Sequence, residues 1–326
     1  MIIVRVSQGL GNQMFQYAFG ECLAKKNNTS VMYDDSFISS KISGRNMRSI
    51  NEIFLDQFHV CTLKDIRKYT GKMIYKIPLL YDCIAKNERL FCLINGVTWK
   101  FRIKRNQKLI QEPEYWNVPE KFVNEIIEMN IKNGENYYFY GFWESIKYIE
   151  QHREYLQKRF CFRVDKEKFS RIIEMMDTTE SVSIHIRRGD YITKSNNDIR
   201  FNLCDDKYYI KAIEKIKSIT NNPKFYVFSD DIPAAKKILE NEKNCVYIEE
   251  NKDFEDMFLM TQCKHNILAN STFSFWGAFL NKNRKQCVIA PKIQYLKKID
   301  GKWKRVLLPV LKDWTVVENV ENDNME

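Results

Sequence analysis

Residues 184–191 read IHIRRGDY. Eight positions hold an imidazole, two guanidinium groups and a carboxylate. An arginine is a permanently charged planar fork that donates hydrogen bonds in pairs, the geometry a phosphate accepts best. Asp190 can hold an arginine in place or take a proton from a substrate, and His185 is the next candidate for that proton transfer. Gly189 lets the backbone turn sharply beside them. The competing reading is a surface Arg–Asp pair worth under about 1 kcal/mol.

Three more stretches carry polar groups in useful places. FSDDIP (228–233) sets Asp230 and Asp231 side by side. One of them is expected to cap the following helix, leaving a spare carboxylate that suits paired N–H donors such as the guanine edge. ANSTFSFWGAF (269–279) opens a helix with Asn270, Ser271, Thr272 and Ser274. Free N–H groups and hydroxyls there would receive phosphate, while capping and an aromatic core face are the structural alternative. GLGNQMFQ (9–16) begins with a G-x-G, but Met14 stands where a dinucleotide fingerprint needs its third glycine. Asn12 and Gln13 are read at the start of a helix, facing a neutral polar ligand such as a sugar. No D-x-D occurs anywhere in the chain. A metal-bridged diphosphate site usually needs such carboxylates, so no metal is expected and arginine and helix N-termini must neutralise a bound diphosphate.

The elements that position these groups follow from hydrophobic periodicity. IIVRV (2–6) and SVMYDD (30–35) read as strands, separated by a glycine turn and a helix over 12–25. Helices are expected over 61–75 and 120–132, a short aromatic strand or loop over 137–143, and a charged helix over 144–160. The second half alternates cleanly. Strands are expected at 181–186, 224–229, 245–249, 266–270 and 287–292, with helices between them. That alternation implies a parallel, doubly wound α/β sheet, in which ligands sit beyond the carboxyl ends of the strands. Every motif singled out above falls at such an end.

At 326 residues the chain suggests two domains. Hydrophobic content of 44% and charged content of 29% are those of a soluble globular protein. The net charge of +10 suits anionic partners, but Lys and Arg alternate with Asp and Glu, as on solvated helix faces. A nucleic-acid role therefore ranks last among the readings. The nine cysteines form no C-x-x-C pair, which argues for free thiols in a reducing compartment over zinc or disulfides. No apolar run of membrane-spanning length exists, and the N-terminus enters a strand with no leader pattern. A cytoplasmic protein is expected.

Taken together, QGLGNQMFQYAFG (8–20), HIRRGDY (185–191), FYVFSDD (225–231) and NSTFSFWGAFLN (270–281) resemble glycosyltransferase family 11, the α-1,2-fucosyltransferases. Weaker likeness lies in FYGFWESIKYI (139–149), where Glu144 replaces a more usual Gln, and in LLPVLKDWTVV (307–317). The resemblance implies a GT-B-like architecture of two Rossmann-like α/β domains, an acceptor-side domain over 1–160 and a GDP-fucose-binding domain over 161–326. It implies inverting transfer of fucose from GDP-fucose to a terminal β-galactose of a glycan. Arg187 would contact the β-phosphate, His185 and one of Asp230 or Asp231 would lie near guanine, and Ser271, Thr272 and Ser274 would hold phosphate or ribose. Asn12 would lie on the sugar or acceptor side. Arg188 is expected to brace Asp190. The resemblance is to the bacterial branch without an anchor, with peripheral contact at the inner face of the plasma membrane as a secondary expectation. A related GDP-sugar transferase of another linkage and a nucleotide-binding regulator without turnover remain open at this point.

Overall fold

A computed structural model describes residues 1–35, 38, 50–55, 58–61, 107–113 and 118–320 of the chain. They fall into two compact units, Met1–Cys161 and Phe162–Glu326.

The first unit is built on a parallel sheet. Strand β1 (Ile2–Arg5) is buried along its whole length. It pairs in parallel with β2 (Val31–Asp34) on one side and with β5 (Asn136–Tyr140) on the other. The two-residue β3 (Val60–Cys61) extends the sheet beyond β2, and β4 (Gln107–Gln111) extends it beyond β5, giving the order β3-β2-β1-β5-β4. Helix α1 (Leu10–Lys26) leaves the turn after β1 and is buried from Leu10 to Ala24 apart from Asn12. It closes on the sheet at Gly20, where a Cβ would overlap the Tyr33 ring. The Tyr33 hydroxyl donates to the Tyr17 carbonyl at 3.0 Å and to Glu21 Oε1 at 2.9 Å.

Glu21 is the buried hub of this unit. Its Oε2 accepts from the Tyr155 hydroxyl at 2.8 Å and from Arg159 Nε at 3.1 Å. Helix α1, strand β2 and the helix α3 (Arg153–Arg159) therefore meet on one carboxylate. Helix α2 (Glu120–Glu128) is shorter than the expected 120–132 and buries Val123 and Ile126. The charged helix expected over 144–160 is not continuous. Two 3₁₀ turns, Ile146–Tyr148 and Glu150–His152, precede α3. The backbone leaves the helical region at Ile149 (φ −124°, ψ −23°) and again at His152 (φ −113°, ψ 17°), while Tyr148 and Ile149 are buried. Beyond Cys61, the helix expected over 61–75 lies outside the described residues.

The second unit follows the expected alternation. Helix α4 (Ser170–Asp177) leads into β6 (Ser181–Ile186). A short helix α5 (Gly189–Lys194), strand β7 (Ile199–Arg200) and helix α6 (Asp206–Lys217) lead to β8 (Lys224–Ser229). Next come α7 (Ile232–Ile238), β9 (Cys245–Ile248), α8 (Asp253–Gln262), β10 (His265–Ile267), α9 (Thr272–Phe279) and β11 (Val288–Pro291). A hairpin of β12 (Ile293–Ile299) and β13 (Lys302–Leu307) precedes the last strand, β14 (Thr315–Val317). The main sheet is parallel throughout, in the order β14-β11-β10-β6-β8-β9. Numbered in chain order from β6 and read from β9 to β14, this is the 3-2-1-4-5-6 order of the dinucleotide-binding fold, and its switch point lies between β6 and β10. An antiparallel sheet, β13-β12-β7, was not expected from the sequence. It is attached through Asn270, whose Nδ2 donates to the carbonyls of Phe201 and Gln294, each at 2.6 Å.

No helix among the described residues is long and apolar enough to cross a membrane.

Glu21→Ala should lower the stability of the first unit by about 2 kcal/mol, since it removes the acceptor shared by Tyr33, Tyr155 and the partly buried Arg159. The midpoint of urea unfolding measures this. A loss under about 1 kcal/mol would remove Glu21 from the role of hub.

Candidate functional site

The candidate site lies at the carboxyl ends of β6, β8 and β10, around the switch point. Residues 182, 184 and 186 of β6 are sealed in the core, as are 225 and 227 of β8. The register sets Ile186 opposite Ser229. The residues just beyond, Arg187 and Asp230, therefore emerge together. Arg187 Nη1 lies 3.0 Å from Asp230 Oδ2, with the two side chains 32% and 23% exposed. The other carboxylate oxygen, Oδ1, accepts the backbone N–H of Arg188 at 2.8 Å. Gly189 makes this possible, because a Cβ there would overlap the Asp230 carboxylate. The Arg187 guanidinium also lies over the Tyr191 ring, 5.5 Å from its centroid.

Asp230 is thus not a spare carboxylate. Both of its oxygens are engaged by the RRG segment, and its partner Asp231 is the helix cap, accepting from Ala234 N at 3.0 Å. Neither aspartate is spare as the sequence suggested, because the parallel register brings Asp230 against Arg187. The two arginines differ. Arg188 turns away to Asn202 Oδ1 (2.5 Å) and to Asp206 (3.7 Å). These were not the partners expected for it. Asp190 begins α5 with Gly189, and its side chain lies outside the described residues.

His185 points into the layer beneath. It is 4% exposed, and its Nδ1 is buried with no hydrogen-bond partner among the described residues. Its ring packs on Phe273 of α9 at 5.3 Å between centroids. Burial, with the Arg187 charge adding to it, pushes the imidazole down to about 3. It is neutral at ordinary pH and holds a proton too weakly to serve as a general base. A buried, unsatisfied ring nitrogen at a ligand-binding strand end is instead a hydrogen-bonding group awaiting a partner.

The N-terminal turn of α9 is built as expected only in part. Ser271 is the N-cap, with its Oγ accepting from Phe273 N at 3.3 Å. Ser274 is turned back into the helix, donating toward the carbonyls of Ala269 and Ser271. Asn270 spends its amide on the small sheet. These two side chains shape the turn, while Thr272 stands at the first helical position, buried beside Ser271.

In the first unit, α1 begins at Leu10, with Gly9 as its cap residue. Asn12 and Gln13 accordingly lie within its first turn. Asn12 is half-buried. Gln13 is buried and its Nε2 closes the preceding turn on the Gln8 carbonyl at 2.9 Å, where Gln8 has a left-handed φ of 70°. Its Oε1 is buried without a partner among the described residues. Next to it in the helix, Gln16 joins two turns at the sheet's carboxyl edge. Its Oε1 accepts from Ser7 N at 2.8 Å, and its Nε2 donates to the Gly141 carbonyl at 3.0 Å.

Sequence reading missed one group at this edge. Glu112 follows β4 and is 7% exposed. Its Oε2 accepts the backbone N–H groups of Phe142 (2.7 Å) and Trp143 (3.0 Å). Gly141 is required there, since a Cβ would overlap the Glu112 side chain. Burial pushes the carboxyl up to about 7 against the opposing pull of the two N–H donors. The only local signal was the pair of glutamates in QEPEYW, whose burial no pattern announces. Among the described residues, no three His, Cys, Asp or Glu side chains are grouped to hold a metal ion.

A carboxyl raised from 4.5 to about 7 on folding makes the folded state bind the extra proton. Its destabilisation is absent below the unfolded value, grows between 4.5 and 7, and reaches about 3 kcal/mol above that. Glu112→Gln keeps the acceptor for both N–H groups and should flatten this decline. Urea midpoints at about pH 5 and about pH 8 would show it; an unchanged pH slope would contradict the assignment.

The comparisons with known proteins agree with the geometry. The sequence pattern of Glycosyl transferase family 11 matches residues 1–317. An alpha-1,2-colitosyltransferase of Escherichia coli is 30% identical over 301 residues, covering 89% of this chain and 91% of that one. The O-antigen biosynthesis glycosyltransferase WbnK of Escherichia coli is 31% identical over 297 residues, covering 88% and 92%. The mouse galactoside 2-alpha-L-fucosyltransferase Sec1 is 25% identical over 86% of this chain and 64% of its own length. Among solved structures, the fucosyltransferase NodZ from Bradyrhizobium superposes with a TM-score of 0.53 at 11% identity, covering 94% of this chain and 99% of NodZ. That likeness shows the fold, GT-B-like with two α/β units. With its parallel sheets, its arginine-bearing strand end and a family match over nearly its whole length, the chain belongs to glycosyl transferase family 11.

Proposed function

We propose that this transferase moves L-fucose from GDP-fucose to the 2-hydroxyl of a terminal β-galactose, with inversion and without a divalent metal. The observation that carries the donor side is the Arg187–Asp230 pair beside the unsatisfied His185 at the switch point. The fork of Arg187, fixed by Asp230, is suited to the diphosphate as it gains charge on leaving. The N–H groups that open α9 are suited to the same charge. His185, neutral and lacking a partner, is suited to a polar edge of the nucleoside. Asp230 acts as a positioning residue for Arg187. The absence of any D-x-D leaves neutralisation of the diphosphate to these groups. The linkage rests on the names of relatives at 30% and 25% identity, and the galactoside acceptor on the latter.

A second donor reading is favoured by one relative. The colitosyltransferase at 30% identity suggests GDP-colitose, whose sugar is fucose without the 3-hydroxyl. Incubation with each GDP-sugar, a panel of β-galactosides and excess chelator, with linkage analysis of the product, separates these readings. An α-1,2-fucosyl product formed in chelator supports the proposal, and colitosyl transfer alone replaces it.

Arg187→Lys should lower kcat/KM about a hundredfold or more, because the charge remains but the fork is lost. Gly189→Ala, which pushes Asp230 off its two partners, should weaken GDP binding with little change in melting temperature. Near-normal transfer by the lysine variant would remove Arg187 from the phosphate site.

A further inference from the structure

Arg187 is held by more than Asp230. The Asp230 contact is made at one η nitrogen, with the arginine side chain 32% exposed, and a guanidinium gripped at one end can pivot about it. The ring of Tyr191 lies across the guanidinium, 5.5 Å from Cζ to the ring centroid. An aromatic face attracts a cation held over it, so the ring constrains the plane of the fork while Asp230 constrains its end. Tyr191 is in turn tied down on several sides. Its carbonyl accepts from Ser195 Oγ at 2.7 Å, and the same Oγ accepts from Phe201 N at 3.0 Å. Its hydroxyl donates to the Asn270 carbonyl at 3.3 Å. Its ring meets Phe201 at 5.4 Å between centroids, and Phe201 meets the buried Tyr295 of β12 at 5.3 Å. Asn270, which precedes the N-cap of α9, is the residue that fastens the small sheet through Phe201 and Gln294. The antiparallel β13-β12-β7 sheet is thus joined through one tyrosine to Arg187 and through one asparagine to the start of α9. The sheet also has an apolar core of its own in Ile293, Leu296 and Trp303. The chain of rings leading to Arg187 is therefore additional to what holds its strands together.

We propose that Tyr191 is a positioning residue for Arg187, and that the antiparallel sheet is the buttress that keeps its ring against the guanidinium. This rests on the reading above in which Arg187 meets the diphosphate. The consequence is selective. A fork that pivots keeps its charge but loses the paired hydrogen bonds that a fixed guanidinium gives a phosphate. The phosphate that Arg187 grips is the one that GDP has and GMP lacks. Tyr191 therefore governs how much more tightly the second unit holds GDP than GMP. It also governs how well the departing diphosphate is stabilised, because that stabilisation requires a donor already in place when the charge develops.

The test is calorimetric affinity for GDP and for GMP, with kcat and KM for transfer, on the full chain. Tyr191→Leu removes the ring and should lower both GDP affinity and kcat about tenfold, with GMP affinity unchanged. Tyr191→Phe keeps the ring and should stay within about threefold of wild type on every measure. In an Arg187→Ala background, Tyr191→Leu should cost nothing further, because two residues that act through one contact are not additive. Parallel loss of GDP and GMP affinity in Tyr191→Leu overturns the inference, since a merely structural role moves both. An equal loss in Tyr191→Phe, or additive losses in the double variant, overturns it as well. If Arg187→Ala leaves the preference for GDP intact, the reading of Arg187 as the phosphate contact fails first. If Arg187→Ala abolishes that preference and Tyr191→Leu does not weaken it, only the role of Tyr191 fails.

Discussion

The carboxyl edge of the second unit's parallel sheet depends on one shared carboxylate. Asp230 holds the guanidinium of Arg187 with one oxygen and the backbone of Arg188 with the other. That arrangement has three structural requirements. Strands β6 and β8 must be parallel and in register, so that residues 187 and 230 leave the sheet at the same level. Position 189 must lack a side chain, or the carboxylate cannot approach. The layer below must be tightly filled, so that the pair cannot sink or turn. His185 of β6 and Phe228 of β8, paired one step below on the same face and both buried, supply that layer. An arginine fixed in this way needs little reorganisation to meet a phosphate, which is the electrostatic condition for stabilising a leaving group.

The first unit uses the same device with different residues. Glu21, Gln16 and Glu112 are buried polar side chains, each accepting or donating across elements far apart in sequence. Glu21 is matched by an arginine and two phenols and serves cohesion. Gln16 is neutral and ties the turn after β1 to the turn after β5. Glu112 has only backbone donors, so its charge is uncompensated and its proton is held near neutrality. The contrast separates a carboxylate buried to join elements from one buried at the cost of stability.

Much of the architecture was legible because its signals are local. Alternating apolar strands and helices announce a parallel sheet, and helix caps such as Ser271 and Asp231 follow from residue type and position. The failures occurred where tertiary packing overrides local pattern. The segment 144–160 carries a helical composition, yet its backbone leaves the helical region at Ile149 and His152 and divides it into turns. The antiparallel β13-β12-β7 sheet joins strands about a hundred residues apart, a pairing that no short-range period encodes.

The sequence by itself determined the family, the strand–helix alternation of the second unit and the presence of an arginine pair at a strand end, because these depend on residue type, spacing and periodicity. Only the tertiary structure decided which residue does what. It paired Arg187 with Asp230, turned Arg188 toward Asn202 and Asp206, and returned Ser274 and Asn270 to structural duty. It also buried His185 as a neutral ring and raised Glu112 into the range where it can exchange a proton. These outcomes depend on distance and desolvation between residues remote in the chain, and desolvation is a property of the packed interior that no single stretch of sequence contains.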